Sequence, residues 1–454
     1  MIDQHNQKHL VAIIGAGPAG LFASRLLASQ NIGVVLFNRD IKPGGLAEYG
    51  IYPTKYKMKE GLRKQFREIL EMPQIEYFGN VLIGQKGDLT LAELRALGFQ
   101  ALLITVGAQG TKWLGLPGED LVGVYHAKDL VYHYNKLPPY SEQEFVIGKH
   151  VALVGVGNVM LDIARYLIRQ VKVEEVVAVA RRGPAEVKFT KKELESVAAN
   201  LDLEALEEEF KRVAPVMQGI GQDVTAAKNY ILSALPKAEP PVSATRFRFE
   251  FLASPSRILG GERGIVRGLE VEDTTLALVD GEVKAKRLSS RHVLPVDTVI
   301  FCIGDRVDES LGLAVRWDEY VKNPEPRFPV NGTSYEAFDP DTNRPVDRTF
   351  LAGWARQASS GLVGTARKDG ENGAQAVLQY LQTVPPLNYP EEVLTALRQH
   401  LQRLGKPIIT KDDWKCLEQV EREEAARLGL EEFKFKTNEE MLQTIQKAKE
   451  AMTS

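Results

Sequence analysis

Cysteine is almost missing from this chain: Cys302 and Cys416 are its only two, far apart and in no C-x-x-C pair. That excludes a disulfide framework, a dithiol relay and a thiolate zinc site, and it points to a cytoplasmic protein. Long apolar runs are missing too. The run from Val11 is broken by Gly15, Gly17, Pro18 and Arg25, short of the ~20 residues that cross a bilayer, so no membrane segment is expected. The opening MIDQHNQKHL lacks a basic stretch ahead of an apolar core, so no signal peptide is expected either. Charge of one sign is scarce: 57 basic against 60 acidic residues leave a net −3, which argues against wholesale binding of nucleic acid or anionic lipid. His126, His133 and His150 show no metal-ligand spacing, and no metal is expected. What is present is a 454-residue chain, 44% apolar and 26% charged, enough for two or three packed cores.

Two stretches repeat one pattern. VAIIGAGPAGLFASRLLA from Val11 and VALVGVGNVMLDIARYLI from Val151 each give four apolar residues, a glycine turn, then apolar residues at helical spacing. This is the strand, turn and helix that opens a parallel α/β unit. In the first, Gly15-x-Gly17-x-x-Gly20, with Pro18 and Ala19, has the context of a dinucleotide turn. The backbone must turn tightly, approach a pyrophosphate and let the helix pack on its strand, and the helix N-terminus stabilises the phosphate charge. The acid expected for a ribose hydroxyl falls at Asn38, an amide that accepts without charge; Arg39 and Asp40 follow it.

The second turn reads Gly155-x-Gly157-Asn158-Val159, with Ala164 in place of a third glycine. Where an NAD site would carry its acid, this chain has Arg181 and Arg182. An acid would repel the extra phosphate of NADP, whereas guanidinium groups pair with that dianion in a forked geometry. A solvated surface pair is the bland alternative. FAD on the first unit and NADP(H) on the second is the expected order.

GNVMLDIAR followed by RRGPAEVKFTKKEL, with RFEFLASPSRILG and DRTFLAGWARQASSGLVGT, resembles the adrenodoxin reductase family of ferredoxin–NADP(+) reductases, and the likeness runs from Val11 to about Val377. The resemblance implies an enzyme that passes electrons from NADPH through FAD to a ferredoxin-type one-electron carrier. It places Gly353, Trp354, Gly361, Leu362 and Val363 along the flavin, and brings Gly44, Gly45 and Leu46 of PGGLAEYGIYPTKYKMK close to it, with Gly107 also at the cofactor. Family members commonly carry histidine where this chain has Lys55, which puts a proton-relay role there in question. Glu193 matches an acid near the nicotinamide end, or is a plain surface glutamate. The family's basic docking helix would fall in AAKNYILSALPKA, which holds only Lys228 and Lys237. Two alternatives stay open: an electron-input subunit like the small subunit of glutamate synthase, whose cysteine-rich cluster domain is absent, and a regulatory protein that binds both cofactors without turnover.

The expected fold is α/β: two Rossmann-like dinucleotide-binding domains, the NADP domain inserted in the FAD domain, plus a C-terminal helical appendage. Residues 1–107 and 305–384 would form the FAD domain, 108–304 the NADP domain and 385–454 the extension. The segments EEVLTALRQHLQRL and TNEEMLQTIQKAKEAM are amphipathic helices that pack on the first domain or bridge to another copy.

Overall fold

The computed structural model describes residues 9–358 and 363–453. The chain forms two compact units: one holds Met1–Thr111, Tyr132–Glu142 and Gly304–Ser454, and the other Lys112–Val131 and Gln143–Ile303.

In the first unit β1 (Leu10–Ile14), α1 (Pro18–Ser29) and β2 (Gly33–Phe37) lead to the short α2 (Leu46–Tyr49) and the longer α3 (Tyr56–Leu70). Then come β3 (Ile75–Phe78), α4 (Leu91–Leu97), β4 (Ala101–Ile104) and β5 (Gly110–Thr111). The chain returns through β14 (Asp305–Arg306), β15 (Val315–Arg316), β16 (Glu319–Tyr320), β17 (Glu336–Asp339) and β18 (Arg344–Leu351). It ends in α10 (Val363–Leu381), α11 (Pro390–Arg403), α12 (Lys411–Leu428) and α13 (Asn438–Thr453). The main sheet runs β17-β18-β4-β1-β2-β3, parallel except for the antiparallel edge pair β17 and β18.

Both faces of this sheet are covered, which is why its strands are continuous apolar runs and not alternating ones. Side-chain alternation along β1 divides the core: Val11 and Ile13 face a layer with α1, α3, α10, α12 and α13, whereas Leu10, Ala12 and Ile14 face α4 and α11. Trp414, Leu417, Met441 and Ile445 of the last two helices are part of the first layer, so the C-terminal helices bury their apolar faces on their own unit.

The second unit contains β6 (Val124–His126), most of α5 (Ala127–Tyr134), β7 (His150–Val154), α6 (Asn158–Tyr166), β8 (Glu175–Val179) and α7 (Lys191–Leu194). It continues with α8 (Leu203–Gly219), α9 (Val224–Leu232), β9 (Arg246–Glu250), β10 (Ala253–Gly260), β11 (Val266–Val279), β12 (Glu282–Leu294) and β13 (Thr298–Phe301). Five parallel strands run β6-β13-β7-β8-β9, and a three-stranded antiparallel sheet, β10-β11-β12, shares a core with them through Val154, Val177, Leu269 and Val271. Cys302 lies buried directly after β13. No helix among the described residues is long and apolar enough to cross a membrane.

Candidate functional site: two glycine turns

The three glycines of the first turn do different jobs. Gly15 has φ +109, and a Cβ there would stand 2.6 Å from the Thr105 carbonyl oxygen. A Cβ on Gly20 would stand 2.0 Å from the Gly15 oxygen. Both glycines are dictated by the protein's own packing. Gly17 is not: its φ is an ordinary −78, and among the described residues a Cβ there would meet nothing within 4 Å. Its freedom faces outward, at the N-cap of α1, which starts at Pro18 without a side-chain cap. The first N–H groups of that helix are thus left for an external acceptor, whereas α4, α8, α9 and α12 each satisfy theirs with a Thr or Asp side chain. The helices α3 and α11 also start without a side-chain cap, but neither follows a glycine turn.

Two more loops converge here. The Gly44 N–H donates to the Ala16 carbonyl at 2.7 Å, and a Cβ on Gly45 would lie 3.1 Å from the Gly17 Cα. Both glycines have positive φ, and Leu46 starts α2 directly behind them. Gly353, at φ +67, is so near α1 that its Cβ would lie 2.6 Å from the Ala19 Cβ, and Trp354 follows half-buried. A half-buried carboxylate fixes that turn: Asp369 accepts from the Gly353 N–H at 2.7 Å, from Arg356 at 2.6 Å and from the Tyr335 hydroxyl at 3.0 Å. Val363 opens α10, Gly107 turns the chain after β4 at φ +73, and Gly361 and Leu362 lie outside the described residues. The structure therefore gathers Gly15 to Gly20, Gly44 to Leu46 and Gly353 in one place.

Asn38 follows β2, but its amide is engaged by the chain. Its oxygen accepts from the Ala16 N–H at 3.1 Å, and its nitrogen donates to the Asp40 and Lys42 carbonyls at 2.9 Å each. It braces the glycine loop from behind. Arg39, beyond it, pairs with Asp40 at 3.1 Å on the surface. Lys55 lies in the single turn before α3, half-buried. Sequence reasoning missed Asp369, as it did Glu48 of α2, a carboxylate 3% exposed that meets Arg63 at 2.6 Å and Lys434 at 3.0 Å.

The second turn repeats the division of labour. Gly155 has φ +124, with a Cβ position 2.4 Å from the Cys302 oxygen, while Gly157 is open among the described residues and caps α6 without a side-chain bond. The Asn158 side chain accepts from the Thr190 N–H at 2.8 Å, the Lys188 N–H donates to the Val156 carbonyl at 2.8 Å, and Val159 is exposed. These bonds hold the basic segment Lys188–Lys192 beside the open glycine. Arg181 and Arg182 follow β8 with their backbones pinned: Thr274 donates to the Arg181 carbonyl at 2.7 Å, and the Leu252 N–H to that of Arg182 at 3.2 Å. Among the described residues neither guanidinium has an acidic partner. Glu186, the acid nearest in sequence, is turned inward to accept from the Gly183 N–H at 3.0 Å. Glu193 lies in the first turn of α7, its N–H capped by Thr190.

An uncapped helix behind an outward-facing glycine, on each of two parallel sheets, fits the pyrophosphate of a dinucleotide, and the site thus defines a protein of the two-dinucleotide oxidoreductase class. The family described as Pyridine nucleotide-disulphide oxidoreductase matches residues 9–209. NADPH-ferredoxin reductase FprA of Mycobacterium leprae is 30% identical over 91% of this chain and 93% of its own length. The mitochondrial NADPH:adrenodoxin oxidoreductase of Salvelinus fontinalis is 28% identical over 95% of this chain and 90% of its own. The solved structure of Mycobacterium tuberculosis FprA in complex with NADPH matches with a TM-score of 0.79 at 25% identity, covering 97% of this chain and all (100%) of the other. The chain belongs to the adrenodoxin reductase-like family of ferredoxin–NADP reductases.

Proposed function

We propose that the chain takes electrons from NADPH through FAD and hands them to a ferredoxin-type one-electron carrier. FAD is assigned to residues 1–107 and 305–384 and NADP(H) to 108–304, apart from Tyr132–Glu142, which cluster with the first unit, and 385–454 are a helical extension. One observation carries the order of the two: both turns present an open glycine at an uncapped helix, but only the second is followed by two arginines that lack acidic partners among the described residues. FAD, when bound, supplies the redox chemistry that lets a two-electron donor serve a one-electron acceptor.

The chain's own residues bind and orient. The α1 N-terminus and Gly17 would take the FAD pyrophosphate, and Asn38 would hold the loop that shapes that seat. Gly44, Gly45, Leu46, Gly353 and Trp354 would line the rest of the flavin. The α6 N-terminus and Gly157 would take the NADP pyrophosphate, and Arg181 and Arg182 the 2′-phosphate. Glu193 and Lys55 are the titratable candidates near the reacting ends. The carrier's docking surface is sparse, since Lys228 of α9 is already paired with Glu207, and the cytoplasm is the compartment its cysteine usage favours.

The test is a spectrum followed by reduction of the bound flavin. The purified protein should show flavin absorbance, and NADPH should bleach it in preference to NADH. Arg181→Ala and Arg182→Ala should each weaken that preference by about tenfold, the equivalent of one lost charge-assisted contact. Equal rates with both nucleotides in the parent protein would sink the assignment.

A further inference from the structure

Beneath the Gly44–Gly45 turn lies a cluster of charges almost without solvent. Glu48, Lys42, Lys59, Lys434 and Glu421 are each 5% exposed or less. The Glu48 carboxylate takes both nitrogens of the Arg63 fork, at 2.7 and 2.6 Å, and meets Lys42 at 3.2 Å and Lys434 at 3.0 Å. Lys434, beyond α12, also donates to the Glu48 carbonyl at 2.8 Å and to the Asn135 carbonyl at 3.4 Å, with its ammonium 4.8 Å from the Tyr49 ring centre. Lys42 continues to Glu421 of α12 at 2.5 Å, and Glu432 joins Lys59 at 2.9 Å and Arg63 at 2.5 Å.

Burying so many charges is costly, and well-packed apolar residues would hold these helices together at least as firmly; such a cluster contributes registry instead. The register it sets is that of the turn. Gly44 packs directly on Glu48, its Cβ position 2.9 Å from the Glu48 Cβ, and Gly45 in turn lies against Gly17. We propose that Glu48 is a positioning residue for FAD: by gathering Lys42, Arg63 and Lys434 it fixes the Gly44–Gly45 turn against Gly17 and makes the C-terminal segment a part of flavin binding. This rests on the FAD reading above. Burial alone would raise the Glu48 carboxyl, but Lys42, Lys434 and Arg63 outweigh it and hold the group ionised, well below the usual carboxylate range.

The experiment titrates FAD into deflavinated full-length protein, following flavin fluorescence, with 2′,5′-ADP binding and thermal unfolding measured in parallel. Glu48→Gln and Lys434→Met should each raise the FAD dissociation constant about tenfold or more and leave 2′,5′-ADP affinity unchanged, with Lys434→Arg recovering part of the loss. Arg67→Met is the control. Arg67 bridges α3 to α12 through Glu418 at 2.8 Å and pairs with Glu60 at 2.6 Å, away from the turn, so its loss should lower the melting temperature without moving FAD affinity. If Glu48→Gln does not fold, Lys434→Met decides the matter. FAD affinity within twofold of the parent in variants that melt early would overturn the proposal and reduce the cluster to scaffolding. A parent that binds 2′,5′-ADP but no flavin would instead overturn the functional reading, and the positioning role with it.

Discussion

At the scale of single residues, the glycine turns separate what the chain needs for itself from what it offers outward. Gly20→Ala would drive a Cβ to within 2.0 Å of the Gly15 oxygen, and backbone cannot give way cheaply there. It should cost about 3 kcal/mol or more of stability, read as a shifted denaturation midpoint. Gly17→Ala meets no described neighbour and keeps an ordinary φ, and as a poorer N-cap it should cost only about 1 kcal/mol of stability while FAD affinity falls. If both variants lose stability equally, the distinction is wrong. The glycine turns, the Arg181–Arg182 pair and the Gly353–Trp354 block were legible in the sequence because each is a local pattern. Asn38 was legible only as a departure, since the string that contains it does not reveal that its amide is tied to Ala16, Asp40 and Lys42.

At the scale of elements, the parallel strands and their helices could be read from runs and periods. The bracing between elements could not. Asp369 holds the Gly353 N–H from within α10, and Lys434 reaches the Glu48 carbonyl across 386 positions of chain, separations over which no spacing rule acts. Asp369→Asn would strip Arg356 of its carboxylate in a largely buried pair and should cost about 3 kcal/mol, with a loosened Gly353 turn.

Lys434 gives a pH signature. Burial lowers its pKa from 10.5 to about 8, with Glu48 and Glu432 opposing that shift and Lys59 and Lys42 adding to it. Between those two values the unfolded chain binds the extra proton, so the group's contribution to stability grows as pH rises from about 8 toward 10.5. Lys42, whose pKa is raised by Glu421 and Glu48 against its burial, acts in the opposite sense and only above 10.5. The stability of the parent relative to Lys434→Met should therefore improve by on the order of 1 kcal/mol between pH 7 and 9.5. A difference that is flat across that range would show that Lys434 does not titrate there.

At the scale of the whole molecule, near-neutral net charge, and a proposed docking segment whose Lys228 is already paired with Glu207, predict weak electrostatic steering. Turnover with an acidic iron–sulfur carrier should fall only about severalfold between low and high salt. A steep decline would reveal a basic surface elsewhere. The two-unit organisation was legible because each unit contains its own strand, glycine turn and helix, β1 to α1 in the first and β7 to α6 in the second. That Tyr132–Glu142 clusters with the first unit was not, because it depends on packing around Tyr132 and Leu137 and not on composition.

The enclosure of Cys302 behind the second glycine turn has a practical corollary. Burial pushes its thiol far above the usual range, whereas Cys416 on α12 is partly open. A maleimide dye offered to the folded protein should attach once, at Cys416, and a second time only after denaturation. That provides a fluorescent reporter on the C-terminal helices without removing either native sulfur.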